Sequence, residues 1–326
     1  MGTNQNHPTS MPTMRSPTDS SDTPLFFTHL RLGWRRAIAV IVALMAVFFA
    51  LQFLPGLIVA GVLAANGATQ LGDDPARLVG HPLMIMAANI SLGLMIPATL
   101  LIMAWMGGVP WRRVLAVGRR FSWRRLLTTT ATAFPVFALG IWVTALLLPG
   151  SYGAFALTGA TAVMLAVIVF TLPLAAAAEE IVFRGGIGPA VGSGAGGEKL
   201  AATVGLLVST MVFTVVHFSA DPWLVLYQLW IGLTAGLLAI ITRGLEASIA
   251  LHVAHNVVLF AASTLFASDG LVIDRSATGD ATNMTVTLTL IPCHIAVLAI
   301  AYLMERRRRA DRPLLPARAQ PDDHAR

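Results

Sequence analysis

Cysteine is almost missing from this chain. The single Cys293 excludes an internal disulfide and a cysteine metal cluster. Its place in the last apolar run reads as a small buried thiol. Charge is scarce too: 12% of the residues are ionic, against about a quarter in a soluble domain. So few ions cannot cover a water-exposed surface, and mean hydropathy is +0.73. The residues before Leu25 are rich in Ser, Thr and Pro and hold no apolar core. They read as a disordered tail rather than a cleaved signal peptide. Several enzyme signatures are also missing. There is no His-Glu-x-x-His zinc helix and no Gly-x-Ser-x-Gly nucleophile turn, since Ser193 sits in VGSGAG. The stretch GGIGPAVGSGAGGEK reads as a glycine-rich connector, without the Gly-Lys-Ser/Thr ending of a phosphate loop.

What the chain does have is long apolar runs. Eight reach the roughly 20 residues that a helix needs to cross a bilayer. They cover about Ala37–Ala64, Pro82–Met106, Leu126–Leu148, Thr161–Pro189, Leu200–Phe218, Pro222–Thr242, Leu245–Phe266 and Met284–Met304. A β-barrel would show short alternating segments instead. The expectation is an all-α polytopic membrane protein. A tail over 1–30 precedes a helical domain over 31–305, whose motif-bearing core is 161–266, and a basic tail over 306–326 follows.

The net charge of +6 does not point to nucleic acid. With eight spans, 20 of the 22 basic residues fall on one side, and only Arg77 and Arg275 fall opposite. By the positive-inside rule that side is cytoplasmic, which puts both termini there, in a plasma membrane. The run VPWRRVLAVGRRFSWRRL reads as an amphipathic helix resting on anionic lipid headgroups.

Against this background two adjacent carboxylates stand out. Glu179 and Glu180 end an apolar run, AVMLAVIVFTLPLAAAAEE. Each costs roughly 2.5–3.5 kcal/mol to insert, so such groups face a protein interior or a wet cavity and mark function. Glu180 and Arg184 are four apart and share a helix face, where they can pair. Glu179 is turned about 100° away, toward a cavity expected to open on the cytoplasmic side. Phe213 and His217 share a face of the fifth run, and His252 and Asn256 share one of the seventh. His255 reads as packing or as support for its neighbours, and His294 stands alone. Tyr227 and Gln228 are polar enough to line a cavity. Acid, imidazole and amide groups on separate helices suit hydrolysis: a glutamate takes a proton from water while the others stabilise the oxyanion.

The segments AAEEIVFRG, FTVVH and LHVAHN resemble the three motifs of the CPBP family: Glu-Glu-x-x-x-Arg, Phe-x-x-x-His and His-x-x-x-Asn. That family comprises CAAX prenyl endopeptidases and bacterial Abi or bacteriocin-processing proteins. The resemblance spans about Leu172–Phe260. It implies an eight-helix intramembrane endopeptidase of glutamate or metallo type. Glu179 would be the water-activating base, with His217, His252 and Asn256 completing the site. Glu180 and Arg184 match the rest of the first motif. A zinc ion is a candidate cofactor, with His217 and His252 as ligands. The substrate would be a membrane-associated peptide or a lipidated protein tail, and membrane lipids the other partner. Two other classes compete: a proton- or cation-coupled transporter using Glu179 as a relay, and a non-catalytic membrane scaffold. By rise per residue His217 lies far deeper in its run than His252 does, so one span must be displaced along the membrane normal.

Overall fold

The computed structural model describes residues 23–66, 78–149, 152–266 and 281–310. The chain is helical, and among the described residues there is no strand, only an isolated bridge between Ala116 and Gly244. The elements are α1 (Trp34–Ala65), α2 (Pro82–Trp105), α3 (Trp111–Leu115), α4 (Trp123–Leu147), α5 (Gly159–Glu180), a π-helix (Ile181–Ile187), α6 (Gly188–Gly192), α7 (Glu198–Val215), α8 (Pro222–Thr242), α9 (Glu246–Phe266) and α10 (Ala281–Ala310). Among the described residues eight helical stretches are long and apolar enough to cross a membrane, the fourth running continuously from Gly159 to Gly192.

Helix α5 shows how the sequence sets these elements. Thr158 and Thr161 cap each other's backbone amides at its start, a reciprocal capping box. The apolar run that follows buries Met164, Ile168 and Leu172, while Val169, Phe170 and Leu174 point outward. Ala175, Ala176 and Ala178 are buried ahead of the glutamates. Small side chains there let α9 approach closely. Helix α9 is the hub of the bundle and packs against α4, α5 and α8. Pro173 is carried inside α5 without ending it.

The glycine-rich stretch is not a connector. Gly185, Gly186, Gly188 and Gly192 are buried in the π-helix and α6, and the turn is confined to Ser193–Gly197. A Cβ on Gly185 would sit 2.9 Å from Val114 Cγ1, and one on Gly192 would sit 2.3 Å from the carbonyl oxygen of Phe27. These glycines are there for close approach.

The packed part of the chain begins earlier than expected, within the segment read as a tail over 1–30. Residues 1–22 lie outside the described residues, but 23–30 are packed. Phe26, Phe27 and Leu30 are buried, and Leu25 N–H donates to Glu198 Oε1 at 2.7 Å. The Phe27 ring enters a slot floored by glycines: a Cβ on Gly188, Gly205 or Gly236 would lie 2.4, 3.3 and 3.7 Å from it. Its backbone is left-handed, with φ of 77°. At the other end, Arg306–Arg309 still belong to α10, so the expected tail from 306 is helical as far as Ala310.

The arginine-rich run is not an amphipathic helix along its length. Trp111–Leu115 forms a short helix, 116–122 are not helical, and from Trp123 the run already belongs to α4. The rest is latched to the bundle. Arg119 Nη2 donates to Glu246 Oε2 at 2.7 Å, and Arg125 pairs with Glu305 at 2.6 Å. Val117 N–H donates to the Arg243 carbonyl, and Leu245 N–H to that of Leu115, both at 3.0 Å. Acids that hydropathy cannot place therefore hold the loop over the α8–α9 turn.

Candidate active site

Glu179 and Glu180 occupy the last turn of α5, directly before the π-helix. The π register widens the backbone at this point, a feature that recurs at functional sites. All seven of its residues are buried, Arg184 among them. The pair expected from the i, i+4 spacing forms: Arg184 Nη1 donates to Glu180 Oε1 at 3.1 Å, with both side chains fully buried. The guanidinium also lies 4.3 Å from the centre of the Phe213 ring. Gly232 makes room for it, since a Cβ there would come 3.3 Å from Arg184 Nη2. Phe213, a motif residue on α7, therefore packs a cation against its ring face.

His252 on α9 joins the two glutamates. Its Nδ1–H donates to Glu180 Oε1 at 2.8 Å. Its Nε2 faces Glu179 Oε2 at 3.6 Å. A carboxylate on Nδ1 fixes the tautomer and leaves the lone pair on Nε2. The Glu179 contact is too long for a direct hydrogen bond. A water seated beside both atoms would link them. Glu179 is the less buried of the two acids, with 13% side-chain exposure against 0% for Glu180. Glu180 is thus the acid paired with Arg184, and Glu179 the more exposed one.

His217 lies just past the end of α7. Its Nδ1–H donates to the Phe213 carbonyl at 2.6 Å, and the two rings are 4.6 Å apart. The Phe213 ring meets that of His252 edge-on at 5.8 Å, so one phenylalanine touches both imidazoles. Phe213 is about 22 Å along α7, whereas His252 is about 9 Å along α9. Helix α7 therefore begins well beyond the start of α9, where it packs against α6. That is the axial offset expected from the motif positions. Asn256 is half-buried one turn after His252, and its amide interacts with His255.

The structure also assembles a group that periodicity does not reveal. Tyr227 Oη and His255 Nε2 are 2.7 Å apart. The His294 ring lies 5.3 Å from that of His255 and 5.6 Å from that of Tyr227. His294 is therefore not isolated. The only sequence signal was a set of polar residues on three apolar runs.

A zinc ion would have to draw on this donor set. The tautomers fixed by Glu180 and Phe213 leave Nε2 lone pairs on His252 and His217, which suits metal ligation in kind. Among the described residues, however, no three His, Cys, Asp or Glu side chains converge into a cage.

These features define a multi-pass membrane protein with a buried acid–imidazole site formed by four of its helices. Residues 161–258 match the family described as type II CAAX prenyl endopeptidase, Rce1-like. The CPBP resemblance carried by the three motifs is borne out over that stretch, and the family is one of proteases. No curated protein and no solved structure matches the chain.

Proposed function

We propose that the protein is an intramembrane endopeptidase that cleaves a peptide bond with a water activated by Glu179. The observation that carries this reading is the placement of His252 between two carboxylates, one orienting it and one facing its lone pair. Glu180, held by Arg184, keeps the His252 proton on Nδ1. Glu179 takes a proton from the water, whose oxygen attacks the scissile carbonyl carbon. The C=O bond becomes an oxyanion, which the Asn256 amide N–H stabilises. The C–N bond then breaks as Glu179 returns the proton to the leaving nitrogen. Protein groups alone carry this sequence.

The substrate in this reading is a membrane-associated peptide or lipidated protein tail. The enzyme sits in the plasma membrane with both termini and the site's opening on the cytoplasmic side. The basic residues support that orientation, because Arg113, Arg119, Arg125 and Arg309 gather at one end of the bundle. The test compares membranes carrying wild type and Glu179→Gln, both shown to be inserted and folded. New peptide termini present only with wild type support the reading. Identical termini at equal abundance would overturn it.

A further inference from the structure

A cavity of about 680 Å³ lies on the outer wall of the helix segments that carry the site. Ala177 and Ile181 close it from the α5 side, and Ile249 and Val253 from α9. These residues neighbour Glu180 and His252 in sequence, yet neither Glu179 nor His252 lines it. The volume falls within the roughly 300–1,000 Å³ of enclosed small-ligand sites. Leu127 and Leu174 line it and are 64% and 49% exposed, so it opens on the flank of the bundle.

Its chemistry is strongly asymmetric. The walls are almost wholly aliphatic and aromatic, and Thr130 is the one uncharged polar side chain among them. Two guanidiniums, those of Arg112 and Arg120, complete the lining. Two nearby arginines in the sequence are engaged, Arg119 by Glu246 and Arg125 by Glu305. Among the described residues no carboxylate pairs with Arg112 or Arg120. Arg112 instead lies 5.3 Å from the Trp111 ring. Trp111 and Trp123, 50% and 69% exposed, flank the same region. Indoles of this kind settle at headgroup level.

We propose that this cavity holds one acyl chain of an anionic membrane phospholipid, with the phosphate between Arg112 and Arg120. A largely apolar slot whose lining includes two cations matches an apolar chain with an anionic head. Basic pockets between membrane helices bind such headgroups. A peptide backbone would need acceptors for its N–H groups, and Thr130 is the one side-chain acceptor in the walls. A neutral lipid would leave both guanidiniums without a counter-ion. The cavity touches the backs of the helix turns that carry Glu180 and His252, so the bound chain props those turns against α4 and α2.

The test is native mass spectrometry of the purified full-length protein, stripped of lipid in detergent. It is titrated with phosphatidylglycerol and with phosphatidylcholine of identical acyl chains. One phosphatidylglycerol should bind about tenfold to thirtyfold tighter than phosphatidylcholine, as two interfacial cations warrant. R112Q/R120Q should abolish that preference. Leu174→Trp, which fills the chain space, should weaken both lipids. Arg306→Gln/Arg307→Gln, at the exposed end of α10, should change neither. Equal affinities for the two lipids in wild type, or a preference that survives R112Q/R120Q, would overturn the assignment. Displacement of the bound phosphatidylglycerol by a prenylated peptide, one for one, would assign the cavity to substrate and overturn it as well.

Discussion

Glu180 and His252, on different helices, meet at 2.8 Å through an oxygen that also accepts from Arg184. One carboxylate oxygen thus neutralises a buried guanidinium and sets the tautomer of an imidazole. The neighbouring Glu179 instead faces Nε2 of the same imidazole at 3.6 Å and is the more exposed of the two acids. Two adjacent acids therefore predict two different mutant phenotypes.

Glu179→Gln should retain the thermal midpoint of wild type to within a few degrees and lose turnover by at least about a hundredfold. Glu180→Gln should lose turnover and stability together, because it leaves the Arg184 charge buried without its partner, at a cost of about 3–5 kcal/mol. Thermal unfolding in detergent, run beside a peptide-cleavage assay, separates the two. Matching stability losses in both variants would remove the distinction.

Phe27 should matter more to stability than its place near the chain's start suggests. It is fully buried in its glycine-floored slot. Phe27→Ala should destabilise by about 3–5 kcal/mol. Gly188→Val should be comparably severe, since even a Cβ would lie 2.4 Å from the ring. The same unfolding assay reads both. An unchanged midpoint for Phe27→Ala would mean that the segment contributes nothing to the fold.

Acid should loosen the same segment. His29 donates to the Arg113 carbonyl, and burial pushes its pKa down from 6.5 to about 4. The depressed value means that the unfolded segment binds a proton more readily than the folded one. The stabilisation is complete above about pH 6.5 and is lost progressively as pH falls toward 4. The loss should amount to about 1–3 kcal/mol. Limited proteolysis near residue 30 should accelerate over that window in wild type, and His29→Asn should flatten the profile. A wild-type rate independent of pH would contradict this.

Chelation offers a separate check. A cleavage assay with 1,10-phenanthroline should retain activity to within about twofold if water is activated by Glu179 alone. Loss of activity restored by zinc would instead give His217 and His252 a ligand role.

Much of this was legible in the sequence, for identifiable reasons. Hydropathy runs report burial in lipid directly, so all eight spans could be read. The Glu180–Arg184 pair follows from 3.6 residues per turn. Three features were not legible. The π-helix is a change of hydrogen-bond register, which leaves no hydropathy trace, and its glycines imitate a loop. Leu25-Phe26-Phe27 is too short a run to rise above a polar tail, although three consecutive apolar residues were the available clue. The Tyr227–His255–His294 group takes its members from three helices, and no spacing within one helix can report it. The carboxylates on Arg119 and Arg125 were hidden for the same reason.

The slot for Phe27 also fixes an order of events during synthesis. One of its walls contains Gly236, about 200 residues downstream. At about 5–20 residues per second, that wall emerges from the ribosome some 10–40 s after Phe27 does. The first described segment of the chain must therefore wait beside the membrane while six further spans are inserted. Its docking is a late closing step, and it registers that α6, α7 and α8 have already found one another.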